Sequence, residues 1–230
     1  MKILCSICAR GGSTSLKHKN IKKLFGKPLI LYSLITAKKS KLFDKIVVSS
    51  DSKKILDISK KYSDMIIQRP KDLSHDKAPK LPAIQHALKQ AEIYFKKKFD
   101  LIVDLDATAP LRNVSDIKGA LKKFLKNDYT NLVSVSRSNK NPYYNMVEKK
   151  NSKIKIIKKS NINFYGRQQA PEIFDINASI YIWKRNNFLK LNNIINKKTG
   201  IFIMPKSRSI DIDDKYDFEI VKFFLKRFKK

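Results

Sequence analysis

Apolar and polar positions along the chain fall into blocks, and each block has the length and period of one secondary element. Residues 2–9 form a short, largely apolar run that suits a strand buried on both faces better than an amphipathic one. The run stops at Arg10 and the pair Gly11-Gly12. Residues 28–39 carry apolar side chains at 29, 30, 34, 35 and 37, a helical spacing that begins with Pro28, a residue suited to the first helical position. Residues 45–51 predict a second strand, 52–62 a helix with a polar residue at its start, and 65–67 a short third strand. Pro82 is expected to open a helix with apolar positions 84, 87, 88, 91, 94 and 95. A buried strand at 101–105, a helix at 115–126 and a strand at 131–136 follow. This alternation argues for a parallel sheet with right-handed crossovers.

From 137 to 176 the pattern changes, with short apolar pieces between polar clusters and no further strand-helix unit. Strands are predicted again at 178–183 and 200–204, and a helix runs from about 214 to the end. A chain of 230 residues sustains one substantial core. The expected organisation is therefore an α/β core from 1–136 and 177–230, interrupted by a smaller insertion at 137–176.

Charge complicates this picture without changing it. The chain has 50 Lys and Arg against 20 Asp and Glu, a net charge of +30, which would attract any polyanion. The basic residues are spread along the whole length, however, and no nucleic-acid-binding motif is visible, so a basic nucleic-acid-binding protein is the weaker reading. No apolar run approaches membrane-spanning length and Met1-Lys2 leads straight into a strand, so a cytoplasmic location without membrane contact is expected. Cys5 and Cys8 stand three apart in a predicted strand and point to opposite faces; both are expected to be small buried hydrophobes rather than a metal or redox pair. His86 lies within an apolar helical series and is read as packing.

Three stretches carry candidate chemistry. At Gly11-Gly12 the missing Cβ atoms allow positive φ and close approach of a ligand, and Arg10, Lys17 and Lys19 surround the pair with cations; the loop is either a phosphate grip or an ordinary turn. It lacks both the third glycine of a dinucleotide fingerprint and the Walker lysine motif. Asp104 and Asp106 share one side of a strand at its carboxyl end, where open α/β sheets bind ligands, although Asp106 could equally cap a turn. Asp211 and Asp213 face one way from an extended segment, as a Mg²⁺ site requires, whereas Asp213 or Asp214 could instead cap the last helix.

Arg10-Gly11-Gly12-Ser13, the Lys19-Asn20 pair and Phe25-Gly26-Lys27-Pro28-Leu29-Ile30 resemble the acylneuraminate cytidylyltransferases, which make CMP-activated sialic acids and related nine-carbon acids. Where relatives usually carry Lys-Gly after the serine, this chain has Thr14-Ser15. A second block, 105–112, matches at Thr108, Pro110 and Arg112 but has Asp106, Ala107 and Ala109 in place of glutamine, proline and serine. The resemblance continues at Arg69-Pro70, Leu73 and Asp76, at Arg167-Gln168 with Pro171 and Asn177, and at the terminal Ile-Asp-Ile-Asp of 210–213.

The resemblance implies a Rossmann-like α/β fold of the nucleotide-diphospho-sugar transferase type, a mostly parallel sheet with helices on both faces, and a β-rich protrusion at 137–176 that makes a homodimer. It implies CTP as co-substrate, Mg²⁺ as cofactor, and transfer of CMP to the anomeric hydroxyl of a nine-carbon 2-keto acid sugar with release of pyrophosphate. Arg10, Lys19 and Asp211 would be catalytic. Ala9, Gly11, Gly12, Ser13, Asn20, Arg69 and Asp76 would join Arg10 and Lys19 in holding the nucleotide, and Asp106, Thr108, Arg167, Gln168 and Asn177 would hold the sugar. Asp211 and Asp213 would hold the metal. Arg167 can alternatively be a surface cation. Block 105–112 looks closest to the legionaminic branch, and an eight-carbon keto-acid (KDO-type) cytidylyltransferase is the alternative enzyme.

Overall fold

Strand β1 (Ile3–Cys8) is buried along nearly its whole length because it lies in the middle of a sheet covered on both faces. A computed structural model describes residues 1–12, 16–75, 78–162, 164, 166 and 168–228. After β1 come the two-residue strands β2 (Lys23–Leu24) and β3 (Lys27–Pro28), then α1 (Leu29–Ser40), β4 (Lys45–Ser50), α2 (Lys53–Ser59), β5 (Met65–Gln68) and α3 (Lys80–Phe95). Next are β6 (Leu101–Leu105), α4 (Val114–Leu125), β7 (Asn131–Arg137) and the pair β8 (Val147–Lys150) and β9 (Lys153–Ile156). The chain ends with β10 (Phe174–Lys184), α5 (Arg185–Phe188), β11 (Thr199–Ile203) and α6 (Lys215–Phe228).

The main sheet has seven strands in the order β11-β7-β10-β6-β1-β4-β5. All neighbours pair in parallel except β10, which is antiparallel to both β6 and β7. Alternate side chains of the strands feed two cores. On one face, Ile3, Cys5 and Ile7 pack with Ile30 and Leu34 of α1, Ile55 of α2 and Phe124 of α4. On the other, Leu4, Val47 and Ile102 pack with Leu81, Ile84 and Leu88 of α3 and with Trp183 and Phe188. Each such large aliphatic side chain, buried from water, contributes about 1.5–3 kcal/mol. A third cluster, with Leu16, Leu111, Ile212, Phe218 and Val221, seats α6.

The doubly wound, mostly parallel architecture expected from the alternation is present, with small corrections. Helix α3 begins at Lys80, two residues before Pro82. Proline is tolerated there because the N–H groups of a helix's first turn have no intrahelical partner. The strand expected at 178–183 is the second half of β10, whose pairing with β7 shifts register between Ile176 and Tyr181, beside Ala178 at φ 52°. Between β7 and β10, the regular structure among the described residues is the β8–β9 hairpin, turned through Asn151 (φ 48°) and Ser152 (φ 62°), the left-handed pair that suits the twist of a two-residue hairpin.

Candidate active site

The chain leaves β1 first towards β4 and β5 and later returns on its other side at β6, so the carboxyl ends of β1 and β6 form a topological switch point. Such points open a crevice that binds ligands. A cavity of about 390 Å³ lies here, lined by Cys8, Arg10, Gly12, Lys19, Asn20, Arg69, Lys80, Asp106, Thr108, Asp211 and Asp213 among others.

One wall is the glycine loop. The Ala9 amide donates to the Ser49 carbonyl (3.0 Å) and the Gly11 amide to Asp51 Oδ1 (2.8 Å), so both are already engaged within the protein. Positive φ belongs not to Gly11 or Gly12 but to His18 (55°) further along the loop and to Phe25 (47°) and Gly26 (78°) in the β2–β3 turn. Gly11 is needed for space: a Cβ there would lie 2.7 Å from Cβ of Ser52. Gly12, by contrast, has open space on its Cβ side and lines the cavity. Arg10 Nη1 donates to the His75 carbonyl (2.9 Å), and Lys19 Nζ meets Asp213 Oδ1 at 3.0 Å. Asn20 Nδ2 donates to the Arg10 carbonyl (2.8 Å), while its Oδ1 is buried without a hydrogen-bond partner. Arg69 is buried against Ser49, giving one hydrogen bond to its hydroxyl (3.2 Å) and one to its carbonyl (2.6 Å).

The floor is acidic and closed by one lysine. Lys80 Nζ lies 3.0 Å from Asp104 Oδ2 and 2.6 Å from Asp106 Oδ2. Asp106 Oδ1 accepts from the Thr108 amide (3.1 Å) and hydroxyl (2.7 Å), and Asp104 Oδ1 accepts from Ser6 Oγ (2.7 Å). Burial raises the proton affinity of Asp106, but Lys80 and Thr108 outweigh it and hold the carboxyl at about 2. For Asp104 burial wins over Lys80, and its carboxyl is raised. Burial likewise disfavours the Lys80 ammonium, yet Asp106 and Asp104 more than compensate and hold it well above the ordinary lysine range. Behind this floor, buried Arg112 donates to the Ser179 carbonyl (2.6 Å), the Ser33 hydroxyl (2.6 Å) and the Asp106 carbonyl (3.1 Å).

The opposite wall is set by Ile212. Its side chain is buried in the third core cluster and its amide donates to the Thr108 carbonyl (3.0 Å), so the flanking Asp211 and Asp213 point the other way, into the cavity. Arg208 secures this segment through a two-pronged contact with Asp116 (2.9 and 2.8 Å). Asp211 Oδ1 is buried without a hydrogen-bond partner. Burial, then Asp106 and Asp213, push the Asp211 carboxyl up to about 6 against the pull of Thr108 and Lys19. Helix capping falls to Asp214, whose Oδ1 accepts from the Asp217 amide (3.0 Å) while Asp217 Oδ2 accepts from the Asp214 amide (3.2 Å). A partnerless buried carboxylate oxygen beside a second carboxylate is a donor set that fits a hard divalent cation.

Not every expected residue lies at this cavity. Asn177 is buried elsewhere, accepting from Ser134 Oγ (2.6 Å) and donating to Ser209 Oγ (2.9 Å), two residues ahead of Asp211. Gln168 lines a second cavity of about 390 Å³ with Arg137, Asn141, Tyr144 and Glu172. Ser13, Asp76 and Arg167, and the Thr14-Ser15 departure, lie outside the described residues. Cys5 and Cys8 feed opposite cores as read, but Cys8 is only half-buried and forms part of the cavity wall. Burial and Asp104 push its thiol up to about 12, leaving it inert as a nucleophile. Lys80 and Asp51 escaped the sequence reading: nothing local sets Lys80 apart among 50 basic residues, and its partners are more than twenty positions away.

The sequence pattern of the cytidylyltransferase family matches residues 4–226. The chain belongs to the cytidylyltransferase family. It is thus a nucleotidyltransferase, of the type the resemblance at 10–30, 105–112 and 210–213 implied. Post-translational flagellin modification protein B of Campylobacter coli is 44% identical over 226 residues, covering 98% of this chain and 95% of that protein. CMP-N,N'-diacetyllegionaminic acid synthase of Campylobacter jejuni is 44% identical over 225 residues, covering 97% and 95%. A solved structure of CMP:2-keto-3-deoxy-manno-octonic acid synthetase complexed with CTP superimposes with a TM-score of 0.69 over 99% of this chain and 100% of that one. At 14% identity that likeness concerns the fold of this family member and nothing finer.

Proposed function

We propose that the chain transfers CMP from CTP to the anomeric hydroxyl of a nine-carbon 2-keto acid sugar of legionaminic type, releasing pyrophosphate. The observation that carries this reading is one cavity with cations of the glycine loop on one wall and, on the other, the Asp211 carboxylate, whose Oδ1 has no hydrogen-bond partner. The 44% identity to a CMP-diacetyllegionaminic acid synthase over nearly the whole chain supports the acceptor class.

In this reading Arg10 and Lys19 neutralise the triphosphate, Gly12 lets it approach the backbone, and the free Oδ1 of Asn20 accepts from the nucleotide. Asp211 and Asp213 hold Mg²⁺, which when bound offsets phosphate charge and polarises the α-phosphate. The sugar oxygen attacks that phosphorus, the bond to pyrophosphate breaks, and the hydroxyl proton is released. The protein contributes chiefly alignment and electrostatics, as phosphoryl-type transfers require. Lys19 bridges the two walls through Asp213 and would be available to phosphate were that carboxylate to serve the metal. A second copy of the chain is proposed to cover the exposed Val147, Ile154 and Ile162 around the β8–β9 hairpin. No helix among the described residues is long and apolar enough to cross a membrane, and a cytoplasmic site of action is proposed.

The test is incubation with CTP, Mg²⁺ and separate legionaminic, pseudaminic, sialic and eight-carbon keto acids, following pyrophosphate. Turnover is expected with legionaminic acids above the others; no turnover with any acceptor overturns the reading. Gly11→Ala is expected to weaken CTP binding about tenfold in calorimetric titration, because the new methyl displaces Ser52 and breaks the Gly11 to Asp51 bond. Adding Ser52→Gly should restore most of the loss. If the double variant binds as poorly as the single one, crowding is not the cause.

A further inference from the structure

The scheme above leaves Lys80 without a task, although it is a cation in the same cavity. Asp106, one of three residues that differ from the relatives in the 105–112 block, has a partner on each oxygen: Thr108 on Oδ1 and Lys80 on Oδ2. Both oxygens of its carboxylate are thus engaged within the protein, although the group still lines the cavity. Lys80 keeps a quarter of its side chain exposed, at the cavity. An ammonium has three protons: one is donated to Asp106 Oδ2, while Asp104 Oδ2, 3.0 Å away, is an ion-pair partner without a hydrogen bond.

Its position is fixed from several sides. Asp104 is fully buried and tied to Ser6, and the Tyr181 ring, 4.6 Å from Nζ, lies stacked on Trp183 with centroids 5.5 Å apart. Charge decides what such a donor can recognise. Two carboxylates flanking one ammonium leave no net positive charge, so the group offers a directed N–H without attraction for an anion. Arg10 and Lys19 already serve phosphate. A neutral oxygen, a hydroxyl or an amide carbonyl, is the matching partner.

We propose that Lys80 is a substrate-contacting residue that donates to a neutral oxygen of one substrate, and that Asp104 and Asp106 are its positioning residues. The inference rests on the proposed transferase reading. The oxygen belongs either to the ribose of the nucleotide or to a hydroxyl or acyl group of the keto acid.

The experiment compares wild type, Lys80→Met and the double variant Lys80→Met/Asp106→Asn, the last removing the carboxylate charge left unpaired. Folding is checked by circular dichroism and melting. For each protein, kcat and both KM values are measured with CTP and the best acceptor, and affinities for CTP and 2′-deoxy-CTP are titrated. The double variant is expected to raise one KM about tenfold or more while the other moves less than about threefold, since the lost bond is local. A rise in the CTP terms that vanishes with 2′-deoxy-CTP assigns the ribose; a rise in acceptor KM alone assigns the sugar. Lys80→Arg should recover part of the loss. If the double variant keeps both KM values within about twofold, or loses kcat alone together with melting temperature, Lys80 is structural and the proposal is wrong. Absence of wild-type turnover with every acceptor instead removes the transferase reading, and this inference with it.

Discussion

Asp211→Asn is expected to lower turnover about 10²–10³-fold while the protein stays folded, on the scale found when one preorganised electrostatic group is removed from a transfer site. Asn preserves shape and removes only the charge. In the unliganded protein that charge has no compensating hydrogen bond at Oδ1 and is repelled by Asp106 and Asp213. The melting temperature near neutral pH should therefore be unchanged or slightly higher. The sign follows from linkage: a carboxyl pushed up to about 6 binds its proton more tightly in the folded than in the unfolded chain, so its ionisation opposes folding as pH rises through that range. The same proton competes with a cation. Mg²⁺ affinity, measured by calorimetry with the whole protein, should weaken as pH falls through about 6, and Asp211→Asn should flatten that dependence. Full activity in the variant, or unaltered pH dependence, would refute the assignment of Asp211 to the cation.

Arg112→Met should instead be a stability variant, costing about 3 kcal/mol, or roughly 10 °C in melting temperature for a chain of this size. The guanidinium is almost fully buried and joins three elements: Ser33 of α1, Ser179 of β10 and the Asp106 peptide after β6. Methionine fills much of the space but donates to none of them, and the buried Asp104 and Asp106 lose a nearby positive charge. Urea unfolding should show a lower midpoint with an unchanged slope. Arg112→Lys should recover only part of the loss, because a single ammonium cannot fork between Ser179 and Ser33. A melting temperature within about 2 °C of wild type would show that the remaining Ser33 to Asp106 bond (2.6 Å) suffices.

Much of the fold was legible because the apolar blocks have the lengths of single elements, and β1, β4, β6 and β7 are buried on both faces as continuous runs imply. The reversed direction of β10 was not legible, since an apolar run has no polarity of its own and strand sense is decided by which neighbours it meets. In the site, the alternation at 210–213 placed Asp211 and Asp213 together because one buried residue, Ile212, sets the phase. Of the two residues read as possible caps, Asp214 caps α6, while Asp213 faces Lys19. Gly11 was read as a permissive backbone position, whereas its neighbour Ser52, forty-one residues on, makes it a matter of volume. Lys80 joins its acids only because the register of α3 and the carboxyl end of β6 coincide in space.

The antiparallel course of β10 has a bearing on how such a molecule can diversify. β7 ends at Arg137 and β10 begins at Phe174, and these two residues are already paired across the ladder, so everything between them leaves and re-enters the sheet at a single clasped point. That point is at the same carboxyl edge as the cavity. A segment closed at its base in this way can lengthen or change composition at little entropic expense, because loop closure grows only slowly with length. The architecture thus separates the parallel strands, which carry the cavity at their carboxyl ends, from the segment above it, which can vary without re-threading the sheet.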